Sequence, residues 1–243
     1  MAKRRLKSLQ EEVARLRPDL DDVAGEIAAG HVLVNGMPRT NAAMQVPAGA
    51  SVVVRAPRVL RGLVKLRGAL EAFEVAVAGR VALDAGSSTG GFVQGLLEAG
   101  ARRVYAVEVG YGQLLGSLRQ DERVVSLERT NIADLGPGLP PEPIDVVTLD
   151  LGFLALAVGV PQLNRIRLVP GADLIALVKP MPELGLGEPP TDPAVIDEAR
   201  ERAAAGIEAA GWQIVASAPS PITGSGGAVE LFLHARRGTT AAE

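Results

Sequence analysis

Residues 81–108 read VALDAGSSTGGFVQGLLEAGARRVYAVE, and the order of patterns within them decides the fold. VALDA is a short apolar run ending at an acid, GSSTGG a turn of small residues, FVQGLLEAG a helical pattern, and RRVYAVE a second apolar run ending at an acid. This predicts a βαβ unit whose strands are buried on both faces, which accounts for their near-continuous apolar character. Further runs at 124–127, 144–149, 174–178, 213–217 and 229–234, with helical patterns at 155–168 and 193–210, extend the alternation. The expected fold class is α/β: an open sheet of about seven strands, mostly parallel with one antiparallel edge strand, flanked by helices, with a ligand at the strand carboxyl ends.

Upstream the pattern changes. Leu6, Leu9, Val13, Leu16, Leu20, Val23, Ile27 and Ala28 recur in steps of three and four, which predicts helices, and Pro18 splits them. Gly30 is a stop signal, and HVLVNGMPRT after it reads as strand, Asn-Gly turn and strand. A turn and a β-branched run follow in VPAGASVVVRA, after which Arg58, Arg61, Lys65 and Arg67 crowd the approach to the larger region. The expected division is a small α+β domain at 1–57 and a larger one at 58–243.

The chain has 243 residues and is 47% hydrophobic, enough for a substantial core. It contains no apolar run of membrane-spanning length, and its basic start, MAKRRLK, is not followed by a signal-type apolar segment, so a cytoplasmic location with no membrane partner is expected. With no cysteine and two histidines, thiolate zinc sites and cysteine nucleophiles are excluded and no metal is expected. His31 and His234 lie in apolar strands and read as structural, and Trp212 reads as packing. The net charge of −3 is unevenly spread: residues 1–70 hold 12 Lys/Arg against 6 Asp/Glu, and residues 71–243 hold 13 against 22. A basic head preceding an acidic body fits either a phosphate-binding surface or a solvated charged helix.

LDAGSSTGGF at 83–92 lets a ligand approach the backbone closely and aims helix-start N–H groups at it. It lacks the Lys-Ser/Thr ending of a triphosphate loop and the G-x-G-x-x-G spacing of a dinucleotide loop, which leaves S-adenosyl-methionine favoured over a turn without a ligand. Glu108, one strand later, is placed to accept hydrogen bonds from both ribose hydroxyls of such a cofactor.

The strings VKLRGALEAF, VALDAGSSTGGF, VEVGYGQL, LERTN, VTLDLGF, ALVKP and GAVELFL together resemble the TlyA family of ribosomal-RNA 2′-O-methyltransferases, also called haemolysin A, within the FtsJ-like methyltransferases. The resemblance runs from about residue 60 to 237, and AGHVLVNG at 29–36 is similar to the S-four-type RNA-binding domain that precedes the catalytic domain in that family. It implies a Rossmann-like class I methyltransferase domain, S-adenosyl-L-methionine as cofactor, and ribosomal RNA or a ribosomal subunit as partner. The family's Lys-Asp-Lys-Glu catalytic set falls on Lys65, Asp150, Lys179 and Glu230, with Lys179 as the general base. The implied cofactor positions are Asp84, Gly86, Ser88 and Gly90 near the methionine part, Glu108 at the ribose and Asn131 at the adenine. Tyr111 and Phe153 are placed to flank the ring, with a core role as the alternative for Phe153.

Three departures bear on the acceptor. LGFLAL stands after the aspartate where the family carries Ser-Phe-Ile-Ser. KPMPELGLGEPPTD stands in place of a longer glycine-rich loop, and Asp19, Asp21 and Asp22 stand where Ser-Arg is common. The readings that remain are an RNA 2′-O-methyltransferase, a relative acting on a small-molecule acceptor, and a non-catalytic binding protein.

Overall fold

The computed structural model describes residues 7–20, 22–47, 49–55 and 59–238. The expectations for Leu6, Asp21 and Arg58 fall outside them. The chain divides into two compact units, Met1–Val59 and Leu60–Glu243.

The first unit opens with β1 (Lys7–Ser8), α1 (Leu9–Leu16) and α2 (Val23–Ala28). Four short strands follow: β2 (Val32–Val34), β3 (Met37–Pro38), β4 (Gln45–Val46) and β5 (Val52–Val54). Strands β3-β2-β5 form one antiparallel sheet and β1-β4 pair separately. The Asn35-Gly36 turn has both residues at positive φ, 52° and 79°, the geometry a tight hairpin needs. Ser8 and Glu11 close a capping box at the start of α1, with the Ser8 N–H donating to Glu11 at 2.8 Å. Leu9, Val13, Ile27, Val32, Val34 and Val46 form the core. Two of the aspartates that stand where Ser-Arg is common in the family have local structural roles. Asp22 accepts the Gly25 N–H at 2.8 Å as the cap of α2, and Asp19 pairs with the Arg17 guanidinium at 2.6 and 2.8 Å.

The second unit contains α3 (Arg61–Ala72), β6 (Val81–Ala85), α4 (Gly91–Glu98), β7 (Arg103–Glu108), α5 (Gly116–Arg119), β8 (Val124–Glu128) and β9 (Ile144–Leu149). It continues with α6 (Leu156–Gly159), β10 (Leu168–Val178), α7 (Pro180–Leu184), α8 (Pro193–Ala209), β11 (Trp212–Pro219) and β12 (Leu231–Arg237). The seven strands lie in the order β11-β12-β10-β9-β6-β7-β8. Side chains alternate between two cores: Leu83, Tyr105 and Val147 on one face, Ala82, Val104 and Val146 on the other.

Two expectations need correction. The reversed strand is not at an edge: β12 runs antiparallel to both β10 and β11 and sits between them, so β11 is the edge. The physical reason is visible in burial, since β12 is covered from Phe232 to Ala235 whereas β11, after the buried Trp212, alternates exposed and half-buried residues. The helix expected over 155–168 is instead a single turn, α6, then a 3-10 segment at Val160–Arg165, and Leu168 already belongs to β10. Pro161 at the start of that segment removes the amide an α-helix would need there.

Candidate active site

The carboxyl ends of β6, β7, β8, β9 and β10 surround a cleft of about 630 Å³. Of the residues singled out from the sequence, Gly86, Ser88, Glu108, Asn131, Asp150 and Lys179 line it. Asp84, Gly90, Lys65 and Glu230 are not among its lining residues.

One wall is organised by carboxylates that collect backbone amides. Glu108, 8% exposed, accepts the Ser88 N–H at 2.9 Å and the Gly110 N–H at 2.8 Å through different oxygens. Each carboxylate oxygen can accept a second hydrogen bond, so ligand hydroxyls can still be received. Gly86 has φ 86°, and a methyl group there would meet the Asp150 backbone carbon at 2.9 Å, so only glycine fits where the loop crosses β9. Gly90 has a packing role, since a methyl group would run into Leu114 and Leu118.

Asn131 begins the 3-10 turn Ile132–Asp134, and its side-chain oxygen accepts the Ala133 N–H at 2.9 Å. One acceptor site of that oxygen is engaged as a cap, while its second lone pair and the NH₂ group take no part in that bond. Asp84 is fully buried and accepts the Thr148 hydroxyl at 2.7 Å, with its other oxygen unpartnered among the described residues. Burial, aided by the Asp150 and Glu108 carboxylates and opposed by Thr148, pushes its carboxyl up to about 7.

Two ion pairs stand at this end of the sheet: Lys179–Asp150, which lines the other wall of the cleft, and Lys65–Glu230, which is not part of the lining. Asp150 follows β9 and Lys179 follows β10, while Glu230 directly precedes β12. Because Val178 pairs with Leu231 and Ala176 with Leu149, all three sit at one end of three neighbouring strands. Lys65 comes to Glu230 from α3, and both are buried, at 7% and 6% exposure. The four residues are thus gathered at the same end of the sheet as the cleft, in two pairs.

Phe153 is fully exposed at the cleft, which rules out the core alternative. Tyr111 is exposed beneath the Arg129 guanidinium, 4.2 Å from the ring centre, and does not line the cleft. Trp212 is packed in the core, and His234 donates from Nε2 to the Asp173 carboxylate at 2.8 Å, so both are structural. Burial would raise the Asp173 carboxyl, but His234, Arg80 and Arg236 together outweigh it and hold the group well below the carboxylate range.

Three residues escaped the sequence reading. Gln113 lines the cleft and accepts the Ser88 hydroxyl at 3.3 Å. Glu128 gathers the amides of the 112–114 loop: the Gly112 N–H, with Arg119 and the Leu114 and Gln113 amides, outweighs burial and lowers its carboxyl. Glu183, buried in α7, accepts the Leu156 N–H at 2.7 Å and so ties the segment after Lys179 to the segment after Asp150. Burial pushes its carboxyl up. No spacing rule marks these, because their partners, the Ser88 hydroxyl for Gln113 and backbone amides for Glu128 and Glu183, belong to other segments.

The model of the FtsJ-like methyltransferase family matches residues 58–237. The chain is 44% identical over 222 residues to the 16S/23S rRNA (cytidine-2′-O)-methyltransferase TlyA of Mycobacterium tuberculosis, covering 88% of this chain and 82% of that one. Among solved structures, a candidate hemolysin from Lactococcus lactis superposes with a TM-score of 0.70 at 34% identity, covering 74% of this chain and 88% of the other. One from Streptococcus thermophilus gives 0.71 at 28% identity, covering 96% and 89%. With a parallel sheet whose one reversed strand lies inside it, a cleft at the strand ends and these matches, the chain belongs to the FtsJ-like methyltransferases, within the TlyA (haemolysin A) family.

Proposed function

We propose that the protein transfers a methyl group from S-adenosyl-methionine to a ribose 2′-hydroxyl of ribosomal RNA. The observation that carries this reading is the Lys179–Asp150 pair in the same cleft as Glu108, with the Lys65–Glu230 pair, from α3 and the residue before β12, at the same end of the sheet. The cleft fits the cofactor on three counts. Its volume lies within the ~300–1,000 Å³ of small-molecule sites. Glu108 has acceptor capacity left for hydroxyls. Val109, Ile132 and Leu151 supply apolar wall. Glu108 would hold the ribose, the 86–88 loop the methionine part, and Asn131 the adenine edge through its NH₂ group. The bound cofactor supplies an electrophilic methyl on sulfur.

The chain's own residues do the rest. Lys179 would accept the proton of the acceptor hydroxyl at its Nζ. Asp150 holds the amine in place, and Lys65, oriented by Glu230, steadies the acceptor strand's phosphate or ribose. The first unit is assigned to RNA docking on its S-four-like sequence. Within its described residues Lys7, Arg15 and Arg17 are paired with Glu12 or Asp19.

The test is methyl transfer from labelled cofactor into ribosomes, free ribosomal RNA and a small-molecule cell extract in parallel. Label in the RNA at a 2′-oxygen is the expected result. Label only in the small-molecule fraction would replace the acceptor, and no label in any arm would favour the non-catalytic reading. RNA binding that does not weaken as salt rises would also count against the assignment.

A further inference from the structure

One face of α3 meets the loop before β12 at three successive positions. Arg61 donates to the backbone oxygens of Thr223 and Gly224, Lys65 pairs with Glu230, and a methyl group on Gly68 would meet Pro221 at 2.9 Å. These positions are four and three residues apart, one stripe of the helix. Within the loop, Gly226 and Gly227 have φ of 66° and 82°, so their backbone calls for glycine. Gly224 does not: its φ is −74°. What glycine provides at 224 is space, since a methyl group there would overlap the Glu230 carboxylate, reaching Oε1 and lying 2.6 Å from Cδ. The Gly224 N–H is meanwhile anchored to the Ala228 oxygen at 2.7 Å, and the Ser220 N–H to the Glu230 oxygen at 3.0 Å, so the loop cannot simply drift away.

We infer that Gly224 is a positioning residue: its missing side chain seats the Glu230 carboxylate against Lys65. The inference rests on the proposed function in taking this pair as part of the catalytic set. The test is a cycle of Gly224→Ala in two backgrounds, wild type and Glu230→Asp, whose side chain is one carbon shorter and vacates the contested space. In the wild-type background Gly224→Ala should lower kcat about 10- to 100-fold, the weight of a misplacement near 1 Å, with cofactor affinity by calorimetry unchanged. In the Glu230→Asp background the same change should cost less than about twofold, because the clash is gone. Thermal unfolding reads the same cycle without turnover: a Tm drop of about 2–4 °C in the first background and little in the second. Equal losses in both backgrounds, or no loss in either, would overturn the inference. A wild-type enzyme that methylates no RNA would instead sink the proposed function, while the thermal cycle still decides the role of Gly224.

Discussion

The two walls of the cleft are built by different means. The Glu108 wall is local: Ser88, Gly110 and Glu108 belong to one βαβ unit, and the carboxylate is held by backbone amides that come within hydrogen-bond reach once β6 and β7 pair. The Lys179 wall, taken with the Lys65–Glu230 pair outside the lining, is assembled from four separate parts of the chain whose side chains are held by one another as ion pairs. A wall of the first kind tolerates change around it, because backbone hydrogen bonds survive most substitutions. One of the second kind fails when either partner is removed, because a buried charge is left without its counterion.

Lys179→Met should break the contrast hardest. It keeps much of the stem and deletes the amine, so methyl transfer should fall about 10²–10⁴-fold while cofactor affinity by calorimetry stays within about twofold. Turnover at the wild-type rate would remove Lys179 from the chemistry.

Next is Lys65→Met, which strands the buried Glu230 carboxylate and should cost about 3–5 kcal/mol in denaturant unfolding. Adding Glu230→Leu should recover most of that stability without recovering turnover. If stability and turnover return together, the pair is structural only.

A third prediction concerns Asp84, under the local wall. Its carboxyl titrates near 7 when folded against an ordinary 3.8. The folded chain therefore binds the extra proton between those values, and this group's contribution to stability falls as pH rises from about 4 to about 7 and is level above. Asp84→Asn, which has no proton to release, should remove about 2–3 kcal/mol of the stability difference between pH 5 and pH 8. Identical pH profiles for the two proteins would show that burial does not hold the proton there.

The smallest effect is expected at Glu108→Ala, about 1–3 kcal/mol of cofactor affinity, because the amides it releases can be met by water. Unchanged affinity in a titration would mean the ribose lies elsewhere.

How much of this was legible follows the same division. The βαβ unit could be read because β6 and β7 are buried on both faces and their apolar runs are interrupted only at the turn. The place of β12 was missed because apolar density does not mark it: six of the eleven residues of GAVELFLHARR are apolar against five of the eight of WQIVASAP, so only strand order shows which is internal. The charge of the basic head divides between the two units. Three of its twelve cations, Arg61, Lys65 and Arg67, belong to α3 in the second unit, where Lys65 is buried against Glu230 and Arg67 pairs with Glu98 at 2.7 Å. Linear charge counts cannot see a counterion 165 residues away.

By itself the sequence determined what depends on neighbours along the chain: the strand-turn-helix at 81–98, the acid ending each of β6 and β7, the Asn35-Gly36 hairpin and the family strings. Periodicity and turn chemistry act over a few residues, and there the reading is direct. The tertiary structure alone decided which lysine faces which acid, that Asn131 lends its oxygen to a cap, that Glu128 and Glu183 hold loops, and that Gly224 leaves room for a carboxylate. Those relations arise only when separate loops are brought to one end of a sheet, and strand order, which no local pattern encodes, is what brings them there.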